Sequence, residues 1–190
     1  MDENPMLVRT ALKEWAVLVD AMARGDIIAM VRKGGIREQR AGFSVRHERF
    51  VFYPTFFHEK VAELAPRFQN DLAHARRPGE GTVRIAHVAE VVGLWTVTDL
   101  ERLRAIEGDH GLAWRAVESR FHYRDRPVVE VVAVRVSALS NAVVVPELRR
   151  YQGCVSWVAL EEGIDVSGAT PVLDAASLDE RVERIGRALV

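Results

Sequence analysis

A single cysteine, Cys154, leaves the chain without the means for an intrachain disulfide or a multi-cysteine zinc site. Lysine is almost as scarce. Lys13, Lys33 and Lys60 are the only three, and arginine carries the rest of the positive charge. Arginine favours bidentate contacts with phosphate and carboxylate, although genome base composition biases the choice the same way. No apolar run approaches the ~20 residues that a membrane helix needs. The amino terminus, MDENPMLVRTALKE, is acidic and lacks the apolar centre of a signal peptide. A cytoplasmic protein with no membrane partner is expected. The net charge of −1 excludes a general basic coat, so any nucleic-acid contact must come from a local patch.

Several familiar chemistries are missing as well. There is no G-x-x-x-x-G-K-[ST] loop, no G-x-G-x-x-G fingerprint and no G-x-S-x-G elbow. Arg37-Glu38-Gln39-Arg40 lacks the later acids of a Nudix box. Ala11, Val31 and His58 stand two residues before the three lysines, so the acid-x-lysine pair of common restriction nucleases is absent. His58-Glu59-Lys60 matches a phospholipase-D-type H-x-K only once and without its aspartate. His47, His58 and His110 have no metal-ligand spacing, and no cofactor or metal is expected.

What is present is a basic stretch. Between Val31 and His58 six cations, Arg32, Lys33, Arg37, Arg40, Arg46 and Arg49, face only Glu38 and Glu48, a local balance of +4. Gly34-Gly35 within it lets the backbone take positive φ and approach a ligand closely. Such a loop is suited to holding a phosphate or carboxylate.

At 190 residues the chain is expected to form one domain with a substantial core. Apolar residues at three- and four-residue steps predict an amphipathic helix over 7–24, ended by Gly25, with 7–10 alternatively a short strand. Strands are expected at 27–31, 50–53, 82–92, 128–136 and 153–160. Helices are expected at 57–75 with a break at Pro66, from Thr98 through Ile106 behind a capping box, around 114–121, and at 178–189 capped at Ser177. Residues 161–176 read as a linker or loose arm. Strands and helices without regular alternation predict an α+β fold. Residues 83–91 and 128–136, apolar on both faces, should be adjacent central strands of one mostly antiparallel sheet, with the Trp15 face of the first helix packed on it.

Four clusters stand out in residue type. They are Arg32-Lys33-Gly34-Gly35-x-Arg37; His47-Glu48 with Tyr53, Thr55 and His58; His110 with Trp114 and Arg120; and Tyr151 through Cys154, Ser156 and Trp157. Each alone is as well explained by folding, so the case for a site rests on their convergence. In a binding site Arg32, Lys33 and Arg37 contact phosphate, assisted by the backbone of Gly34 and Gly35. Tyr53 or Trp157 stacks on a base, and His58 or Ser156 reads its edge. Thr55, His110 and Arg120 complete the ligand set. In an enzyme acting on a phosphorylated small molecule or nucleic acid, His58 or His47 is the general acid–base, Glu48 its orienting partner, and Arg32 and Arg37 the anion clamp. A structural partner subunit is a third reading, marked by an apolar patch in place of a basic cleft.

Leu12-Lys13-Glu14-Trp15-Ala16, the Arg-Lys-Gly-Gly-Ile loop, Phe-Tyr-Pro-Thr with His58, and Gly153-Cys154-x-Ser156-Trp157 together resemble an uncharacterised prokaryotic family, number 1802 of the domains of unknown function, over about residues 7–160. The family has no established activity. Some members are joined to a restriction-endonuclease-like domain, which implies a role beside modified or foreign DNA. More distantly, Glu14-Trp15-Ala16, Gly25 and a strand ending in Arg32-Lys33 look like the start of ASCH domains. That likeness implies a PUA-like barrel sheet with flanking helices, and a cleft that engages nucleic acid, DNA or RNA, at one flipped or modified base.

Overall fold

The computed structural model describes residues 5–33, 47–56, 59–74, 79–153 and 155–190. Its framework is one seven-stranded sheet. Strand β1 (Leu7–Trp15) leads directly into helix α1 (Ala16–Ala23), then β2 (Ala29–Arg32) and β3 (Arg49–Thr55). A short helix α2 (Pro66–Gln69) and two 3-10 turns precede the long strand β4 (Thr82–Val97). Helix α3 (Trp114–His122) separates β4 from the still longer β5 (Val129–Pro146). Strands β6 (Trp157–Asp165) and β7 (Thr170–Pro171) and helix α4 (Ala175–Leu189) complete the chain. The sheet order is β2-β5-β4-β3-β1-β6, with β7 beside β5. Every pairing is antiparallel except β1 with β3. The fold is α+β, and residues 83–91 and 128–136 lie in neighbouring antiparallel strands as expected.

The first element differs from expectation. Residues 7–15 are strand, and only Ala16–Ala23 is helix. The reason is burial on both faces: Ala11 belongs to one apolar cluster and Leu12 to another. A strand packed on both sides loses its polar alternation, and its apolar residues then fit a helical spacing by accident. Trp15 is therefore the last residue of β1. Helix α1 is apolar almost all round, with Val17, Leu18, Val19 and Met22 buried. It stops at Gly25, whose φ of +77° supports the paired bonds from Gly25 N to Met22 O and from Asp26 N to Ala21 O.

Other expectations also shift. Residues 61–74 form short turns of helix instead of one long one, and Pro66 starts α2 where a break was expected. Asp99, not Thr98, caps the 3-10 helix Leu100–Ile106, and Asp174 caps α4 through the Ser177 N–H. The supposed arm at 161–176 is the second half of β6 followed by β7.

The sheet is strongly curled. β2 and β1 stand four places apart, which in a flat sheet would separate them by about 19 Å. Yet Arg32 Nη1 at the end of β2 donates to Glu14 Oε2 at the end of β1 over 2.9 Å. Register shifts in the β4–β5 pair, between Ile85 and His87 and between Val91 and Gly93, supply the bends. One apolar cluster is built from β1, β3, β4 and β6 themselves, through Val8, Ala11, Val51, Tyr53, Ile85 and Val158. The other, larger cluster joins the sheet to α1, α3 and α4. The outer edge of β2 is not left open: Asp109 O accepts from Ile28 N and Ala29 N, and Arg120 donates to Val31 O.

Helix α4 closes the larger cluster with Leu178, Ile185 and Leu189. It is pinned by Asp109, a fully buried carboxylate that accepts from Arg184 at 2.6 Å and Arg181 at 3.5 Å. Arg181 also donates to Gly25 O and Asp26 O. Asp109→Ala should therefore lower stability by roughly 2–3 kcal/mol, less than a fully buried pair because Arg184 is half-exposed. Urea denaturation checks this, and a change within ~0.5 kcal/mol, the ordinary size of a surface effect, would reject Asp109 as the anchor.

Candidate functional site

The curl brings the ends of β1, β2, β3 and β6 together around an open cleft of about 250 Å³. Its lining is Lys13, Glu14, Trp15, Arg32, Lys33, Thr55, Arg120 and Ser156. Five of these, Arg32, Lys33, Thr55, Arg120 and Ser156, are sequence-predicted ligand residues drawn from all four clusters. Four cations face a single acid, so the wall is positive.

The floor of the cleft is the Glu14–Arg32 pair. Glu14 is only 5% exposed and Arg32 14%. The second Glu14 oxygen accepts the Trp15 N–H at 2.9 Å, so both carboxylate oxygens are engaged. Arg120 reaches in from the last turn of α3. It donates to Val31 O at 2.8 Å and lies over the Trp15 ring at 5.6 Å. Burial lowers its pKa first; the nearby Glu14 charge opposes this and the Arg32 charge adds to it. Lys13 donates to Gly153 O at 3.2 Å and stands 5.9 Å from the centre of the Tyr53 ring. Thr55 Oγ1 donates to Glu14 O at 3.3 Å. Ser156 is held by its carbonyl, which accepts the Lys13 N–H at 2.8 Å. Among the described residues its hydroxyl makes no hydrogen bond.

Lys33 plays a different part from the one expected. Its ammonium donates to Phe121 O at 2.7 Å, to Val128 O at 2.8 Å and to Arg126 O. An ammonium has three donors, and all three are spent on backbone. Burial and the Arg126 charge lower its pKa. Lys33 is a staple in the cleft wall, not a free phosphate clamp.

Two expected stacking residues also sit elsewhere. Tyr53 is 1% exposed and packs in the smaller apolar cluster, edge-on to Tyr151, so it presents no face to a ligand. Burial raises its phenol pKa. Trp157 packs edge-on against Phe50 at 5.2 Å and against His47 at 5.4 Å, beside the core and outside the cleft lining. His47 and Glu48 are exposed, and among the described residues no hydrogen bond joins them. Gly34, Gly35, Arg37 and His58 lie outside the described residues. Lys13, Glu14 and Trp15 were missed as site residues although their motif carried the family resemblance. An acid inside an apolar strand was the available signal.

His110 lies behind the cleft. With Glu14 and Arg120 it lines a small pocket of about 10 Å³, and it is 1% exposed. Its Nδ1 accepts the Leu112 N–H at 3.2 Å, which places the proton of the neutral ring on Nε2. Among the described residues no group of three His, Cys, Asp or Glu side chains is arranged to hold a metal ion. None of the described helices is long and apolar enough to cross a membrane.

A family model described as "Domain of unknown function (DUF1802)" matches residues 11–184. No curated protein matches the chain in sequence. Among solved structures, a crystal structure of a point mutant of the ASCH protein ZmASCH from Zymomonas mobilis is similar over 83% of this chain and 92% of that one, with 13% identity and a TM-score of 0.48.

Burial, with the Arg120 charge and a smaller push from Arg67, moves the His110 pKa from 6.5 down to about 4, against the opposing pull of Asp109. Between those values the unfolded chain binds the proton and the folded one does not. Its contribution to stability is therefore full above about pH 6.5 and is lost as pH falls toward 4, by about 3 kcal/mol in total. Stability curves of wild type and His110→Phe should differ in slope across this window. A His110 imidazole that titrates near 6.5 by NMR would contradict it.

Proposed function

The chain belongs to the DUF1802 family of domains of unknown function, and from that premise we propose that its cleft is a nucleic-acid-binding site that takes one nucleotide. What supports the reading is one observation: Lys13, Arg32 and Arg120 converge with the indole of Trp15 and the hydroxyls of Thr55 and Ser156 in one open cleft. Its volume of about 250 Å³ is near the lower bound for small-ligand sites, roughly 300 Å³. A cationic wall with an aromatic face suits a group that is anionic at one end and flat at the other. Arg120 has five N–H donors and spends one on Val31 O. The others, with Lys13, are the phosphate contacts of this reading. Trp15 lies against the base, and Ser156 and Thr55 address its edge.

The described lining favours binding over turnover. It contains no histidine, and its one acid, Glu14, is tied to Arg32 and to the Trp15 N–H. Glu14 is only 5% exposed and each of its oxygens is already hydrogen-bonded, which suits a fixed structural carboxylate better than a general base that must reach a substrate proton.

Binding of labelled single-stranded DNA and RNA, followed by fluorescence anisotropy across a salt series, tests the reading. With about two phosphate contacts, from Lys13 and Arg120, affinity should fall roughly seven-fold between 50 and 200 mM salt. Lys13→Gln should weaken binding and reduce the salt slope by about one contact at unchanged melting temperature. Ser156→Ala should change the preference among bases more than the salt slope. Salt-independent binding, or a Lys13→Gln protein that binds like wild type, would remove the cleft from consideration.

A further inference from the structure

The chain leaves the cleft through an unusual turn. Arg120 lies in the last turn of its helix, inside the cleft; Phe121 is buried, and His122, Tyr123, Arg124, Asp125, Arg126 and Pro127 are all exposed. Arg124 (φ 60°, ψ 34°) and Asp125 (φ 54°) are consecutive and left-handed, the only non-glycine residues with positive φ among those described. That conformation is costly for a residue with a Cβ, and glycine or asparagine would hold it more cheaply. The three carbonyls gripped by Lys33, of Phe121, Arg126 and Val128, bracket this turn. A residue of the cleft wall thus holds the turn in its unfavourable shape. What the shape displays is Tyr123, 46% exposed, with the Arg124 guanidinium 5.3 Å from its ring centre. An exposed tyrosine ring with arginine stacked on it is a ready platform for a base.

We infer that the turn at 122–127 is a second part of the nucleic-acid interface, taking the nucleotide next to the one in the cleft. Tyr123 stacks on that neighbouring base, and Arg124 and Arg126 hold the phosphates on either side of it. Asp125 is the one acid among them, so the turn keeps a positive balance. The partner is a single strand, or a strand with a base swung out of its helix, because stacking on Tyr123 needs an exposed base face. Strain at a binding turn is usually maintained by the surrounding structure, and here Lys33 is the maintaining contact. The inference rests on the cleft binding a nucleotide.

The test compares two probes, a nucleoside monophosphate and a single strand of about eight nucleotides, a length within the usual range for single-strand sites. Tyr123→Ala should weaken the longer strand roughly ten-fold, as expected for a lost stack, and leave the monophosphate within about two-fold. Arg124→Gly keeps the left-handed backbone and removes only the side chain. It should weaken the strand several-fold without lowering the melting temperature. If both variants bind the strand like wild type while Lys13→Gln weakens both probes, the turn is no part of the interface and the cleft reading stands. If Arg124→Gly weakens both probes alike and melts early, the turn serves folding only and the inference is overturned. If wild type binds neither probe, the cleft reading falls and this one with it.

Discussion

The Glu14–Arg32 ion pair is the contact on which the remaining geometry turns. It joins the ends of two strands that the sheet order places four apart, so it exists only if the sheet is curled. Taking both charges out of water is costly, and a lone pair at this depth would contribute little net stability. The surrounding hydrogen bonds change that balance. Glu14 also accepts the first N–H of the turn into α1, and Arg32 donates in addition to Lys13 O at 3.4 Å. The same carboxylate therefore fixes the start of α1, the end of β2 and the floor of the cleft. Its removal would leave Arg32 and Arg120 facing each other across that floor.

The cleft is cationic without being poised for collapse. Arg32 is neutralised by Glu14, Arg120 is oriented by Val31 O, and Lys33 is saturated by three carbonyls. Each charge is thus fixed in place before any ligand arrives. Pre-fixed donors save the ordering entropy that free side chains lose on binding. Neutral His110 behind the wall adds no further positive charge near pH 7, which keeps Arg120 from facing yet another cation. In the proposed reading the arrangement is a preformed anion seat whose strength follows ionic strength more than pH.

Much of this was legible in the sequence, but unevenly. The central strands β4 and β5 announced themselves because runs of valine apolar on both faces suit little besides a buried strand. β1 did not, for the same reason acting in reverse: burial on both faces removed the alternation that marks a strand. The stretch around Arg32 was recognisable from charge alone, yet charge does not say where a side chain points. Lys33 looked like a phosphate ligand, and only the position of three carbonyls from α3 and β5 makes it a staple. Tyr53 and Trp157 have the composition of stacking residues, but Tyr53 is core and Trp157 is partly buried against it. Trp15 has the converse, an aromatic in an apolar run that ends up lining the cleft. At residues 122–127 the left-handed arginine is invisible in the sequence, because it shows only once φ is known.

Fold and site are not separable residue by residue here. Arg32, Lys33 and Arg120 line the cleft, but they also bridge the curl, hold a turn and cover the edge of β2. Loss of any of them would alter the structure and the binding surface together, so a loss of function there would not identify a contact. Lys13 and Ser156 are different: the Lys13 ammonium donates to Gly153 O and stands over the Tyr53 ring, and Ser156 is held through its carbonyl. Tyr123 and Arg124 lie farther out still, with exposed side chains on a backbone held by another residue. The division follows from the curl itself. Closing a sheet forces the cations at its seam to serve the closure first and, in the proposed reading, leaves recognition to the residues that stand just beyond it.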